Sequence, residues 1–89
     1  MQEIWDEVTA EVATYGLVGL YEDNTEQFFN LVGARDDGSL VNLSYDGGEE
    51  WLIGTYFDEE ARERAEFDSI TYADATTAAR LFVREVTEG

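Results

Sequence analysis

The sequence predicts an α+β fold in which an antiparallel β-meander of about four or five strands carries the N- and C-terminal helices on one face. Three observations predict this two-layer fold. Apolar residues recur at helical spacing near both ends, strand-like apolar runs fill the middle, and glycine-containing turn sequences separate those runs. With 89 residues the chain has room for one small domain, which we expect to span residues 1–89.

The first element is a predicted helix over residues 2–15. Its apolar side chains recur three and four residues apart, and glutamates occupy the opposite side. Gly16 then provides a helix stop, because glycine adopts the left-handed conformation found after many helix ends. The predicted inward-facing residues are Ile4, Trp5, Val8, Val12 and Tyr15.

The next elements are predicted strands. Residues 17–23 form a strand before a polar turn, and three further runs, "FFNLVGAR", "LVNLSYD" and "WLIGTYF", follow. The pairs Asp37-Gly38 and Gly47-Gly48 separate these runs and accept the positive φ angles of tight hairpin turns. Two-residue turns centred there place Val32 opposite Leu43 and Leu43 opposite Leu52.

The same arithmetic sorts the meander into two sets of side chains. We assign the first set to the helix-covered core: Phe28, Val32, Ala34, Val41, Leu43, Leu52 and Tyr56. The second set mixes aromatic side chains with small polar ones, a composition typical of protein interfaces. It is predicted to bind a second copy or another protein: Phe29, Leu31, Leu40, Asn42, Ser44, Trp51, Ile53, Thr55 and Phe57.

An alternative is that both faces are covered within the monomer. A shift of one residue in either turn exchanges the two sets, because successive side chains of a strand point to opposite faces. Replacing Trp51 by glutamate distinguishes the hypotheses. An interface residue gives a folded monomer, whereas a core residue gives an unfolded chain.

The last third of the chain predicts a connector, a strand and a helix. "YFDEEARERAEFD" suits a short helix with Asp58 as its N-cap and acid–arginine pairs facing water. A strand over residues 69–73 follows, and Asp74 caps a helix over residues 75–88. The apolar stripe of that helix is Ala75, Ala78, Ala79, Leu81, Phe82 and Val86.

The charge composition is strongly biased. The chain has 21 acidic residues against five basic ones, all arginine, giving a net charge of −16. By composition it resembles the small acidic salt-in proteins of halophilic archaea, and this resemblance implies a cytoplasm rich in salt. The same charge repels nucleic-acid backbones and anionic membranes, so we expect neither as a direct partner. An acidic mimic of DNA, acting as an inhibitor, is an alternative interpretation.

Other composition features argue against catalysis. Cysteine and histidine are absent, which excludes thiolate chemistry and removes the usual base near neutral pH. Acid pairs are unavoidable at this composition, so we predict no catalytic, cofactor or metal site. The acidic turns should attract cations only weakly and without specificity. A ligand-binding sensor domain, with a pocket near Tyr21, Tyr45 and Tyr56, is an alternative function.

The termini and hydropathy predict a cytoplasmic protein. No apolar run approaches the roughly 18 residues of a membrane span, and the first residues are acidic where a signal peptide is basic.

Overall fold

The predicted α+β arrangement is confirmed in a computed structural model of the chain. The structure describes residues 2–16, 21–24, 28–48, 50–57, 59–62, 64, 66–71 and 74–88. Within them, a five-stranded antiparallel sheet in sequential order packs against the N- and C-terminal helices. The elements are α1 (Gln2–Thr14), β1 (Tyr21–Asn24), β2 (Phe29–Ala34), β3 (Leu40–Tyr45), β4 (Glu50–Tyr56), α2 (Glu59–Arg62), β5 (Phe67–Thr71) and α3 (Ala75–Glu88).

Helix α1 follows the prediction except at its last apolar residue. Trp5, Val8 and Val12 enter the core, whereas Tyr15 lies in the turn after the helix and is exposed. The prediction for Tyr15 is wrong because the helical geometry ends before that residue. Gly16 has a φ of 73° and its N–H donates to the Ala13 carbonyl, so it ends the helix as expected.

Helix α3 begins at its predicted cap. The carboxylate of Asp74 accepts a hydrogen bond of 2.7 Å from the backbone N–H of Thr77. The small side chains of Ala78 and Ala79 are fully buried, and the helix packs beside α1. Across that contact Arg80 Nε donates to Glu11 Oε1 at 3.1 Å.

The Asp74 cap makes helix stability depend on pH. The hydrogen bond from the Thr77 N–H holds the pKa of this carboxyl below its ordinary value of 3.8. A lowered folded-state pKa stabilises the fold above the unfolded value, and that contribution is lost as pH falls through the folded value. In about 3 M KCl, where charge repulsion is screened, we expect Asp74→Ala to melt at a lower temperature than wild type at neutral pH.

The matched control is Asp74→Asn, which removes the same charge and keeps a good capping side chain. The difference in Tm between wild type and Asp74→Asn should shrink as pH falls below about 4. A difference that stays constant down to about pH 2 would contradict the cap assignment.

The register of the three central strands differs from the prediction by one residue at each turn. Leu31 lies opposite Leu43, which lies opposite Ile53, so the predicted pairing of Val32 with Leu43 and Leu52 is wrong. The cause is visible in the first turn. Arg35 N–H bonds to the Ser39 carbonyl, and Gly38, with a φ of 91°, donates to the Arg35 carbonyl.

That turn is a three-residue hairpin loop, in which a type I turn is followed by a left-handed glycine. Asp37 favours it, because one carboxylate oxygen accepts bonds from both the Ser39 N–H, at 2.8 Å, and its hydroxyl, at 2.6 Å. These bonds, the hydroxyl bond first, lower the Asp37 pKa. The second turn is also longer than predicted, since Tyr45 pairs with Trp51. Within it, the Gly48 N–H donates to Asp46 Oδ1 at 3.0 Å.

The observed register defines two faces of the sheet. The covered face packs on α1 and α3 and contributes Leu31, Val41, Leu43 and Trp51 to the core, with Tyr45, Ile53 and Ile70 packed against them. The opposite side, called the outer face below, comprises Asn30, Val32, Ala34, Leu40, Asn42, Ser44, Glu50, Leu52, Gly54, Tyr56, Phe67 and Ser69.

The first predicted set therefore divides between the faces. Val41 and Leu43 lie in the helix-covered core as predicted. The prediction is wrong for Val32, Ala34, Leu52 and Tyr56, which the register places on the outer face, and for Phe28, which is exposed just before β2.

Gly54 lies on the outer face beneath an aromatic ring. A Cβ added there would stand 2.8 Å from both Cγ and Cδ1 of Phe67. Gly54 pairs with Asn42 on one side and Phe67 on the other, so the ring crosses the gap that the glycine leaves. Such an aromatic neighbour compensates for the packing that a strand glycine lacks.

We expect Gly54→Ala to reduce the free energy of unfolding by about 1–3 kcal/mol, because the new methyl overlaps the base of the ring. Urea unfolding at high salt measures this loss. The same substitution in a Phe67→Ala background should cost much less, since the overlap is gone. Equal costs in the two backgrounds would show that the ring does not lie over Gly54.

The remaining sequence predictions differ mainly at their boundaries. Strand β5 begins two residues before the predicted strand, and α2 forms within the predicted connector. The expected N-cap Asp58 and the first residues of the predicted strand 17–23 lie outside the described residues. No helix in the described part of the chain has the length and apolar character needed to cross a membrane.

Candidate functional site

The nine residues predicted as an interface do not form one surface. Leu31 and Trp51 lie in the core beneath the helices, and Ile53 packs against that core. The prediction fails for them because the hairpins are one residue longer than assumed, which moves β3 relative to its neighbours. Leu40, Asn42 and Ser44 are the three members on the outer face.

The other three members are separated from these. Phe29 pairs with Tyr45, so its backbone register belongs to the covered face. Thr55 is exposed at the margin of that face, opposite Val41. Phe57 follows β4 and is 71% exposed.

Trp51 shows why an aromatic strand residue is ambiguous in sequence. Its indole stacks on the Tyr45 ring, with centroids 4.1 Å apart and planes 15° apart, and it is only 3% exposed. The Tyr45 hydroxyl reaches the Gly48 carbonyl at 2.8 Å. This aromatic pair closes the β3–β4 end of the core instead of facing a partner.

Two large apolar side chains are exposed on or near the outer face. Phe28 is 40% exposed and Leu52 is 39% exposed. Leu52 pairs with Ser44, which pairs with Asn30, and Phe28 lies just before β2, two residues from Asn30. The neighbouring row of the face, containing Val32, Asn42 and Gly54, is buried.

A hydrogen-bonded cluster joins these two rows. Ser44 Oγ lies within hydrogen-bond distance of Oδ1 of both Asn30 and Asn42, the latter at 2.8 Å. A hydroxyl has one hydrogen, so it donates to one amide and accepts from the other. Asn42 is fully buried, and its Nδ2 has no hydrogen-bond partner among the described residues. Exchanging the positions of the Asn42 amide oxygen and nitrogen places Nδ2 beside Ser44 Oγ. Asn42 Nδ2 then donates to Ser44 Oγ, and the Ser44 hydroxyl donates to Asn30 Oδ1.

Charge is nearly absent from the centre of the outer face. Strands β2 and β3 contain no charged residue. Among the residues whose side chains are described, the acid that the register places on this face is Glu50, at the start of β4. In a chain with a net charge of −16, the central strands of this face are thus uncharged, and Glu50 lies at its margin.

A cavity of about 190 Å³ lies between residues of β4, β5 and α3. It is lined by Ile53, Gly54, Thr55, Glu66, Asp68 and Glu85. Glu85 is engaged by Arg35, whose NH2 group lies 2.9 Å from its carboxylate and whose Nε donates to its backbone carbonyl at 2.7 Å. Arg35 thus satisfies a carbonyl in the last turn of α3.

Three acidic residues line this cavity: Glu66, Asp68 and Glu85. Within the described residues, no group of three or more acidic side chains is arranged to hold a metal ion. The pocket expected near Tyr21, Tyr45 and Tyr56 is not supported either. Tyr45 lies on the covered face and Tyr56 on the outer face, so these two rings cannot line one pocket.

Sequence reasoning missed Asn30 as a member of the polar cluster. The available signal was an asparagine inside the apolar run "FFNLVGAR", which is unusual in a buried strand. Comparison with known proteins adds no further site: no protein-family model, curated protein or solved structure matches the chain.

Proposed function

We propose that this chain is a small non-enzymatic protein that acts by protein–protein interaction through the outer face, with homodimerisation as the simplest form. The observation that carries the proposal is the exposed Leu52 side chain on a face whose central strands hold no charge, with a second exposed apolar side chain, Phe28, just before β2. Exposed apolar area among uncharged polar groups is characteristic of a surface that is soluble alone and buried in a complex.

The two carboxyls whose pKa shifts are resolved have structural roles. A general acid at neutral pH needs a raised carboxyl pKa. Hydrogen bonds from Ser39 lower the pKa of Asp37, and the hydrogen bond from Thr77 lowers the pKa of Asp74. Asp37 holds the first hairpin turn and Asp74 caps α3.

The composition supports a salt-rich cytoplasm as the working environment. Among the described residues, three arginines bridge acids: Arg35, just after β2, reaches α3, Arg80 joins α3 to α1, and Arg84 pairs with Glu88 within α3. The sequence offers only five arginines to 21 acids, so acids outnumber cations by about four to one. Mobile cations of the solvent would have to screen the rest.

The interaction proposal is tested by Leu52→Asp, with Thr55→Asp as the matched control. Both substitutions add one acid at an exposed position of β4, but on opposite faces. In about 3 M KCl, light scattering should show a dimer for wild type and for Thr55→Asp. Leu52→Asp should remain folded by circular dichroism and have the mass of one chain. A Leu52→Asp protein that is still dimeric would overturn the assignment of this surface.

A further inference from the structure

We propose that the edge of the sheet at strand β5 binds an extended, basic segment of another protein, which adds to the sheet as a sixth strand. The open backbone edge of β5 and the charge of the cavity beside it carry this inference. The edge is separate from the exposed Leu52 side chain, so the inference goes beyond the proposed association of copies and does not rest on it.

Strand β5 is the last strand of the sheet. Within the described residues it pairs with β4 on one side and with no strand on the other. Asp68 and Ser69 are neighbours that point to opposite faces, yet both are exposed. Alternate backbone N–H and C=O groups of such an edge point away from the sheet, where an incoming strand can pair with them.

The edge lacks most of the features that prevent strand addition. Strand β5, with the sequence FDSIT, contains no proline and no lysine, and its pairing with β4 runs without a bulge from Phe67 to Thr71. Its one charged side chain is Asp68. This carboxylate disfavours an acidic strand at the edge and favours a basic one.

The cavity of about 190 Å³ adjoins this edge on the helix-covered side. Asp68 pairs with Ile53, which packs on the core, so the Asp68 side chain belongs to the covered face. Glu66, just before β5, and Glu85 of α3 line the cavity with it. Arg35 engages Glu85, whereas neither Glu66 nor Asp68 forms an ion pair within the described residues. Two carboxylates beside the edge are therefore available to a cationic partner.

These side chains define the sequence of the partner strand. Directly opposite residues of an antiparallel pair have Cβ atoms about 4.5–5.5 Å apart, and opposite charges there stabilise the pairing. A Lys or Arg opposite Asp68 reaches the cavity, and another two residues further along meets Glu66. The position opposite Ile70 lies on the same face and suits an apolar side chain, because Ile70 packs on the core. An antiparallel partner therefore has an apolar residue followed at alternate positions by two basic ones.

A second copy of this chain does not fit the edge. Its own β5 has no basic residue and would bring further copies of Glu66 and Asp68 to the acidic side of the junction. Like charges across paired strands are destabilising. A basic side chain in the cavity forms a partly buried ion pair, which salt screens less than it screens the long-range attraction of a net charge of −16.

The test is titration of the wild-type chain in about 3 M KCl, where general attraction to a basic peptide is screened. The probe is a blocked peptide in which Val, Lys and Lys, in that order, alternate with Thr. We expect saturable NMR shifts centred on the backbone amides of β5. An absence of binding, or shifts spread over the acidic surface without saturation, would overturn the proposal.

Matched variants separate the edge from net charge. Glu66→Gln with Asp68→Asn removes two acids at the edge, and Glu3→Gln with Glu7→Gln removes two at exposed positions of α1. Circular dichroism verifies that both remain folded. The edge variant should bind the peptide about fivefold more weakly or worse, and the α1 variant should bind like wild type. Equal weakening in the two variants would show attraction to net charge alone and would overturn the proposal.

Peptide methylation tests the strand pairing on the unaltered chain. N-methyl groups on alternate residues either point toward β5 and block its hydrogen bonds or point away from it. We expect one of the two alternately methylated peptides to lose binding and the other to retain it. Retention of full affinity by both would show that the peptide does not add as a strand.

Discussion

Raising KCl from about 0.1 M to about 3 M is expected to shift the urea midpoint of unfolding upward by about 1 M or more, which corresponds to about 1 kcal/mol or more for a domain of this size. The physical reason is the net charge of −16 on a body with a radius of gyration of 12.0 Å. Folding concentrates these charges, and salt removes the resulting repulsion. The midpoint is measured by circular dichroism at a chain concentration below that of dimerisation.

The control is the reduced-charge variant with Glu50→Gln, Asp36→Asn and Glu66→Gln. It should be more stable than wild type at low salt and gain less from KCl, because less repulsion remains to be screened. A midpoint of wild type that stays flat or falls as KCl rises would contradict the assignment to a salt-rich environment.

Trp51→Glu is expected to unfold the chain instead of producing a folded monomer. Trp51 is 3% exposed and stacks on Tyr45 within the helix-covered core. A carboxylate at this position loses the stack and must be buried without a partner, which costs several kcal/mol, close to the whole stability of a small domain. Circular dichroism at high salt should show loss of both helix and sheet signals.

Two controls complete this prediction. Trp51→Phe preserves an aromatic ring beside Tyr45 and should remain folded. Leu52→Asp changes the adjacent residue on the outer face and should also remain folded. A folded, monomeric Trp51→Glu protein, beside a dimeric wild type, would contradict this prediction. Trp51 would then lie at the interface between copies and not in the core.

The order of elements was predictable from the sequence because each element has a strong local signal. Helix α3 begins after Asp74 and repeats its apolar residues at helical spacing, and both features survive in the structure. The turn glycines Gly38 and Gly47 likewise have the positive φ that their sequence context predicts. These features depend on residues close together in the chain.

The identity of the outer face was not predictable in the same way. It depends on one residue in each hairpin, and "DDGS" is compatible with both a two-residue and a three-residue loop. The choice is made by Asp37 and Ser39, whose hydrogen bonds favour the longer loop. A shift of one residue per turn moved Trp51 into the core and left Leu52 outside.

The central claim, that copies of this chain associate through the outer face, is tested most directly by residue-specific solvent accessibility in about 3 M KCl. Relaxation by a soluble, uncharged paramagnetic probe is measured by NMR at low and at high chain concentration. The claim predicts that the Leu52 methyl groups and the Phe28 ring become protected as the concentration rises, while Thr55 keeps its exposure. Unchanged relaxation at Leu52 and Phe28, or protection at Thr55 instead, would contradict it.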